Sequence, residues 1–368
     1  MNSKNILRTL AMLFSLSALV IFTSCGEDGE DEPEPEPEPT ETIYQLIEST
    51  GGLDSLKKYL DFYPDLVATL SGSGDFTLFA PDNNAFVGLL ATPGFPADIR
   101  SINPDIVKTV LAYHVSASRF EAADLASGTT VSTVQGESIT VNEDGTLLTG
   151  ATNAAISVTT ADIKATNGVM HVLASVMIPP TVGASLTPIL GTNAGTLLLG
   201  ANFSDLATGI GLADAFAAEA GVPTLVSILA GQTTHTVFAP TNETFAAAAA
   251  GAGVTVEQFV ASLTGQQWYG IIANHVVLDT VEPTDLVTGA TFPTALEGSQ
   301  LLVFNNTEAI PAQNGLGIYL DSDGNVDLQD PTTYTGFNAE VVAPASAIGT
   351  VAANGRVHVI AGLLTPPM

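Results

Sequence analysis

Helical periodicity that gives way to strand alternation, twice along one chain, predicts an α+β fold. In the first half, Leu53, Leu56 and Leu60 recur at the spacing of one helix face, and Ile106, Val107, Val110 and Leu111 form another. Further on, Ser138–Val141 and Leu147–Thr149 flank Asn142-Glu143-Asp144-Gly145, a hairpin signal. Length is the second observation, since 368 residues suffice for two or three domains that each bury a core. Composition is the third. With 46% hydrophobic and 13% charged residues, the chain has too little Gly and Pro for a collagen-like or wholly disordered polymer.

At the N-terminus, Lys4 and Arg8 precede an apolar run over residues 10–22. That run is too short to span a bilayer and has the basic, apolar, small-residue order of a secretory signal. It ends in Phe22-Thr23-Ser24-Cys25, and Cys25 is the single cysteine, so no disulfide within the chain is possible. The segment resembles a bacterial lipobox, with Phe22 where Leu is usual. That resemblance implies lipidation at Cys25, and several acyl chains on one residue would anchor the chain stably in a membrane. A bystander cysteine in an ordinary secretory signal is the alternative.

Residues 26–41 hold nine acidic groups and the repeat Pro33-Glu34-Pro35-Glu36-Pro37-Glu38-Pro39. Such a segment cannot bury a core and favours extended polyproline II, reaching on the order of 50 Å. A stalk is expected here, with a merely solvated linker as the other reading. An acidic run behind a lipidated cysteine also resembles the surface-export signals of Bacteroidetes lipoproteins. The whole chain carries 38 acidic against 9 basic residues, a formal charge of −29. Nucleic-acid binding is excluded because it needs clustered Lys and Arg.

The remainder contains one unit twice, expected over residues 42–180 and 183–368. Phe79-Ala80-Pro81-Asp82-Asn83-Asn84-Ala85-Phe86 returns as Phe238-Ala239-Pro240-Thr241-Asn242-Glu243-Thr244-Phe245. Leu111-Ala112-Tyr113-His114-Val115 returns as Ile272-Ala273-Asn274-His275-Val276. Asn167-Gly168-Val169-Met170-His171-Val172 returns as Asn354-Gly355-Arg356-Val357-His358-Val359, and a Pro-Pro pair follows each. Between His275 and His358 the second copy carries an insertion of about 26 residues, most easily placed in a loop. In the first copy, Asn103 and Pro104 open a helix, and strands are expected at residues 156–159 and 169–176. In the second, the early helical region runs over residues 204–229, and Asp321-Ser322-Asp323-Gly324-Asn325 reads as a hairpin turn.

These three ordered motifs resemble the fasciclin domain. The resemblance implies two tandem fasciclin domains, each a β-wedge of two sheets flanked by helices, and a role in adhesion or extracellular interaction. Asn274 departs from the aromatic usual at that position, and the insertion departs from the family's length.

Little in the chain points to chemistry. His114 with His171, or His275 with His358, could form a base or metal pair, but no ligand cluster accompanies them, and alternation along their strands favours core histidines bonded to backbone. His235 stands where the first copy has Phe76 and reads as a packing variant. In the repeated motif, Phe79, Pro81 and Asn83, and their partners Phe238, Pro240 and Asn242, read as a strand end, with Asp82 or Asn83 capping a short helix. Asp321, Asp323, Asp327 and Asp330 offer oxygens at a spacing reminiscent of a calcium loop, but Tyr319 occupies the first ligand position. Calcium is thus the one possible cofactor, and a hairpin with solvated acids is the favoured reading. Asp162-Ile163 lies where animal fasciclin domains carry an Asp-Ile integrin motif, and the second copy has Ala347-Ile348 there. The expected protein is a non-catalytic, exported outer-membrane or cell-surface lipoprotein, with the membrane and an unidentified extracellular protein or glycan as partners. An envelope hydrolase using a histidine and acids, or a purely structural spacer, are the alternatives.

Overall fold

Side-chain caps set where the helices of the first copy begin. Thr42 closes a capping box with Gln45 at the start of α1 (Ile43–Ser49). Helices α2 (Asp54–Leu60) and α3 (Pro64–Ser71) follow, the latter opened by its proline. Strand β1 (Phe76–Pro81) runs into α4 (Asn83–Leu90), whose cap is Asp82, accepting from the Ala85 N–H at 2.7 Å. Asn103 accepts from the Asp105 N–H at the head of α5 (Pro104–Tyr113), as the sequence predicts. The computed structural model describes residues 38–149, 154–306, 317–324, 338–342 and 350–366. Residues 41–368 form one compact unit containing both copies.

The rest of the first copy is β-rich. Strands β2 (Val115–Ser116), β3 (Thr130–Ser132), β4 (Ser138–Val141), β5 (Leu147–Thr149), β6 (Ala154–Ile156), β7 (Val158–Ala165) and β8 (Gly168–Leu173) make two sheets, in the orders β2-β1-β8-β7 and β3-β4-β5-β6. The central pair β1 and β8 is parallel, with Phe79 opposite His171. The strand expected at residues 156–159 is two strands, and β7 continues to Ala165. Its middle is polar and exposed because it forms a sheet edge, so no apolar alternation marks it. The strand expected to reach residue 176 ends at Leu173.

Period-two alternation along β1 divides the core. Leu78 and Ala80 face the helices, packing with Ile43, Leu56, Leu60 and Leu70. Phe79 faces the other way and joins Tyr113, Val131, Ile139, Leu147 and Met177 between the sheets. Each fully buried large apolar side chain contributes about 1.5–3 kcal/mol.

The second copy repeats the plan. Helix α6 (Pro180–Leu186) leads to α7 (Asn193–Leu199), α8 (Ser204–Ala220) and α9 (Leu225–Leu229), then β9 (His235–Pro240). Helices α10 (Asn242–Ala252), α11 (Val256–Ser262) and α12 (Gly265–Asn274) precede β10 (Val276–Val277), β11 (Thr291–Pro293), β12 (Gln300–Asn306), β13 (Gly317–Asp321), β14 (Ala339–Val341), β15 (Thr350–Ala352) and β16 (Gly355–Ala361). Again β16 lies parallel to β9, with His358 opposite Phe238. Val237 and Ala239 face the helices and Phe238 faces the opposite core. Here the strands are joined in one sheet, because the end of β16 pairs with β14, while its start pairs with β15, which lies off that path. Strands β13 and β14 do pair, but residues 322–338 separate them, so the tight hairpin expected at Asp321 is not formed. Ser322 turns inward instead, donating its hydroxyl to the Thr365 carbonyl and its N–H to Asn338 Oδ1, both at 2.8 Å. Much of the insertion falls in residues 307–316 and 325–337, outside the described residues.

One exchange between the copies shows how the helical cores are filled. The motif asparagines hold the N–H groups of Ser55 and Asp205, which aligns Tyr59 with Gly209; counting back from His114 and His275 aligns Val107 with Trp268. In the first copy Tyr59 packs on Phe86 with ring centres 5.1 Å apart. In the second, Trp268 packs on Phe245 at 5.9 Å, and a Cβ on Gly209 would stand 2.6 Å from the indole. An aromatic ring thus enters from α2 in one copy and from α12 in the other. Gly209→Tyr should destabilise the chain by about 3 kcal/mol through overpacking, and Trp268→Val by about 3 kcal/mol through a cavity. Urea denaturation of the double variant should recover more than about 1 kcal/mol relative to additivity.

Candidate functional site

The repeated sequence motifs meet at the ends of the parallel strand pair. Asn167 accepts from the Ile43 N–H at 2.9 Å and donates to the Leu70 and Gly72 carbonyls at 2.9 and 2.7 Å. Asn354 does the same in the second copy, accepting from the Asn193 N–H and donating to the Leu229 and Gly231 carbonyls. Each asparagine therefore ties the head of one helix and the tail of another to the turn before the last strand. The glycine after it is required, because a Cβ at Gly168 or Gly355 would collide with the carbonyl of Phe76 or His235. At the other end of β1, Asn83 accepts from the Ser55 N–H and donates to Asp54. Asn242 accepts from the Asp205 N–H and donates to the Ala201 carbonyl and Ser204 hydroxyl. Asp82 and Thr241 are the caps, so Asn83 and Asn242 are helix-to-helix ties. Phe79 and Phe238 stack on His171 and His358, with ring centres 5.5 and 5.2 Å apart. Pro81 and Pro240 end the two strands.

The histidines are spent on the backbone. His114 donates from Nδ1 to the Val110 carbonyl at 2.7 Å and accepts at Nε2 from the Met177 N–H at 2.9 Å. His275 repeats this with the Ile271 carbonyl and the Leu364 N–H. Complete burial holds both imidazoles neutral, with pKa values lowered to about 4. His171 donates to the Phe120 carbonyl at 2.8 Å and accepts from the Asp162 N–H at 3.3 Å. His358 donates to the Val281 carbonyl at 2.9 Å. His235, in the place of Phe76, is buried with Nδ1 on the Thr233 carbonyl. Asn274 is buried too; it accepts from the Ser299 hydroxyl and donates to the Leu364 carbonyl, where Tyr113 of the first copy donates to the Ser138 carbonyl.

Asp162 is the one non-glycine residue with positive φ among the described residues, at 59°. It sits on an irregularity in β7 and accepts from the Ala122 N–H at 2.8 Å. Ile163 packs against the helical core. The pair that reads as a recognition dipeptide is therefore built into the strand edge. Asp321, expected among solvated acids, is buried at the end of β13 and accepts from the Asp323 N–H, while Asp323 accepts from Asn338. No group of three or more His, Cys, Asp or Glu is arranged to hold a metal among the described residues. Asp327, Asp330, Ala347, Ile348 and Cys25 lie outside them.

No sequence motif marks a cleft of about 700 Å³ between the copies. One wall runs from Gly94 to Ser101; the other uses Gly191, the end of α7, the turn through Asn202 and the strand β15. The copies join at its margin, where the Asn103 N–H donates to the Leu199 carbonyl at 2.5 Å beside a bridge between Ile102 and Gly200; within the second copy the Ala353 N–H donates to the Gly191 carbonyl at 2.7 Å. A Cβ on Gly94 would lie 2.8 Å from the Gly191 Cα, so this approach needs glycine. Arg100 forks onto Asp98 and holds its carboxyl down to about 2, so the two charges of the cleft cancel. In the second copy the only basic residue, Arg356, is paired with Glu282.

The fasciclin domain family model matches residues 51–179 and 212–366, more than half of the chain. The Synechocystis protein sll1483 is 39% identical over 121 residues, which cover 32% of this chain and 62% of that protein. Transforming growth factor-beta-induced protein ig-h3 of Sus scrofa is 27% identical over 278 residues, 75% of this chain and 35% of that protein. The chain thus spans less than two thirds of the length of either relative. Among solved structures, a FAS1 domain pair from the insect cell adhesion molecule fasciclin I is similar with a TM-score of 0.31 at 17% identity, covering 85% of this chain and 97% of that one.

Because the unfolded chain protonates its histidines at an ordinary pKa of 6.5 and the folded chain only near 4, burial of His114 and His275 stabilises fully above that ordinary value. The contribution, on the order of 3 kcal/mol per histidine, is lost as pH falls through that window. In an NMR titration from pH 8 to 5, both rings should keep neutral chemical shifts. At Asp162, replacement by Ala keeps the backbone strain and loses the bond to Ala122, and should cost about 1–2 kcal/mol in urea denaturation. Asp162→Gly should cost less, because glycine relieves the strain.

Proposed function

The chain belongs to the fasciclin domain family, and from that premise we propose that it is an exported, lipid-anchored protein that binds an extracellular protein or glycan through its paired domains. The domains are taken as residues 42–180 and 183–368. The observation that carries the reading is the joining of the two copies around one open cleft, while their motif histidines are committed to backbone groups. A base in a hydrolase needs a lone pair facing substrate, and the acceptor nitrogens of His114 and His275 face buried N–H groups. Binding asks only for shape and polar groups at a surface.

The leader, Cys25 and the acidic tether support placement on the outer membrane or cell surface. A lipidated Cys25 would hold the chain in the membrane, and the Pro/Glu segment would carry the domains away from it. The strongly acidic domains would be repelled by anionic lipid, which favours such a spacing. In cells fed a labelled fatty acid, the chain should take up label and Cys25→Ala should not; whole-cell protease treatment should then degrade the anchored form. On a glycan and protein array, the purified chain should bind at least one envelope or matrix component saturably. Absence of saturable binding across the array would overturn the interaction reading.

A further inference from the structure

One wall of the cleft ends in an open sheet edge. Strand β15 pairs with β16 alone, and Val351 at its centre is 70% exposed, more than any other large apolar side chain among the described residues. Hydrogen-bond alternation fixes where its backbone points. The His235 N–H donates to the Asn354 carbonyl at 3.1 Å, so Asn354, Arg356 and His358 turn their backbone groups to β9, and Gly355 and Val357 turn theirs to β15. Thr350 and Ala352 lie opposite Val357 and Gly355 and take those bonds. The Val351 N–H and C=O between them are directed away from the sheet and have no partner among the described residues. Two residues on, the Ala353 N–H also points outward and is met by the Gly191 carbonyl at 2.7 Å. The chain thus fills one rung beyond β15 and leaves the next one open at the cleft, which Val351 and Ala352 line.

The first copy guards the same edge. Lys164 of β7 stands opposite Val169 as Val351 stands opposite Arg356, so the two positions match. There the edge carries a lysine and the irregularity at Asp162, two devices that keep a sheet edge from pairing with another chain. Strand β15, with Thr350, Val351 and Ala352 in unbroken register, has neither. We propose that the β15 edge is a docking site for an extended polypeptide, which pairs its backbone with the Val351 N–H and C=O and lies in the cleft as one more strand. This rests on the interaction reading above and narrows its partner to protein. An extended chain suits the edge because, about 4.8 Å from its neighbour, it presents an acceptor and a donor together to one residue of the strand beside it. A second copy of this chain is disfavoured, since each carries a formal charge of −29. Across the cleft Asp98 and Arg100 neutralise each other, so an uncharged strand fits the space between the walls.

The probe is the capped peptide acetyl-Thr-Val-Thr-Val-Thr-amide, titrated into the purified chain and followed at the backbone amides by NMR and hydrogen exchange. The Val351 amide should shift and exchange more slowly as it gains a partner. The same peptide N-methylated at every nitrogen keeps its side chains, loses its backbone donors and should bind about tenfold more weakly or not at all. Val351→Pro deletes the outward N–H at an edge position of the kind that tolerates proline, so the chain should fold and its peptide affinity, read at the Ala353 amide, should fall about tenfold or more. The N-methylated peptide needs no variant and carries the test should Val351→Pro fail to fold. No change at the Val351 amide with millimolar peptide would overturn the proposal, as would equal binding of the N-methylated peptide or unchanged binding to folded Val351→Pro. Protection of the Val351 amide that grows with protein concentration alone, together with a doubled mass, would overturn it and assign the edge to a second copy. Because the peptide acts on the purified chain, its failure alongside saturable array binding would sink only the edge site. Pairing at Val351 without any array partner would support the edge site and sink the broader interaction reading.

Discussion

The Asn-Gly turn before the last strand is the constraint on which each copy depends. One buried amide has two donors and an acceptor, and at Asn167 all are used: on the head of α1, the tail of α3 and the loop that follows it. The glycine lets the strand lie against β1 without a Cβ in the way. Parallel pairing of β1 with β8 requires a long crossover, here almost the whole domain, so the contact that closes it must be specific. Asn354 and Gly355 close the second copy identically.

Around that shared closure the copies have diverged in what fills them. Ile43 and Phe76 of the first copy correspond to Asn193 and His235 of the second, two polar groups in a buried corner. Among the described residues, Asn193 Oδ1, His235 Nε2 and His358 Nδ1 are buried without a hydrogen-bond partner, all in the second copy. In the first copy the Nδ1 of His171 meets the Asp162 N–H, which the left-handed backbone at Asp162 presents to it. Strain in one chain segment thus satisfies a buried atom in another. That arrangement gives Asp162 a structural duty that its resemblance to a recognition dipeptide hides.

Much of the α+β plan is legible in the residues. Leu53, Leu56 and Leu60 are buried as their spacing predicts, Asn103 and Pro104 open their helix, and the hairpin at Asn142 pairs β4 with β5. Strand β7 is not legible, because an exposed edge strand lacks the apolar alternation that marks the others. The Asp321 segment misleads because Asp, Ser and Gly signal a turn wherever they cluster, whereas here Asp321 is buried and Ser322 is drawn inward by the distant Thr365 carbonyl. The cleft between the copies leaves no local pattern at all. Its glycines, Gly94 and Gly191, look like any loop glycine until the two backbones are seen in contact.

By itself the sequence determined the duplication, the acidic character and the positions of the paired asparagines and histidines, since repetition and charge are properties of residue order. Tertiary structure alone decided what those residues do. Whether a histidine is a base or a strut depends on which atoms face its two nitrogens, and Val110 and Met177 face His114 only once α5 and the segment after β8 have packed. Whether an apolar helix face is sealed or open depends on which side chain arrives from across the core. The repeat therefore displays the common frame, and only the packed core shows that the ring supplied by Tyr59 in the first copy is supplied by Trp268, over Gly209, in the second.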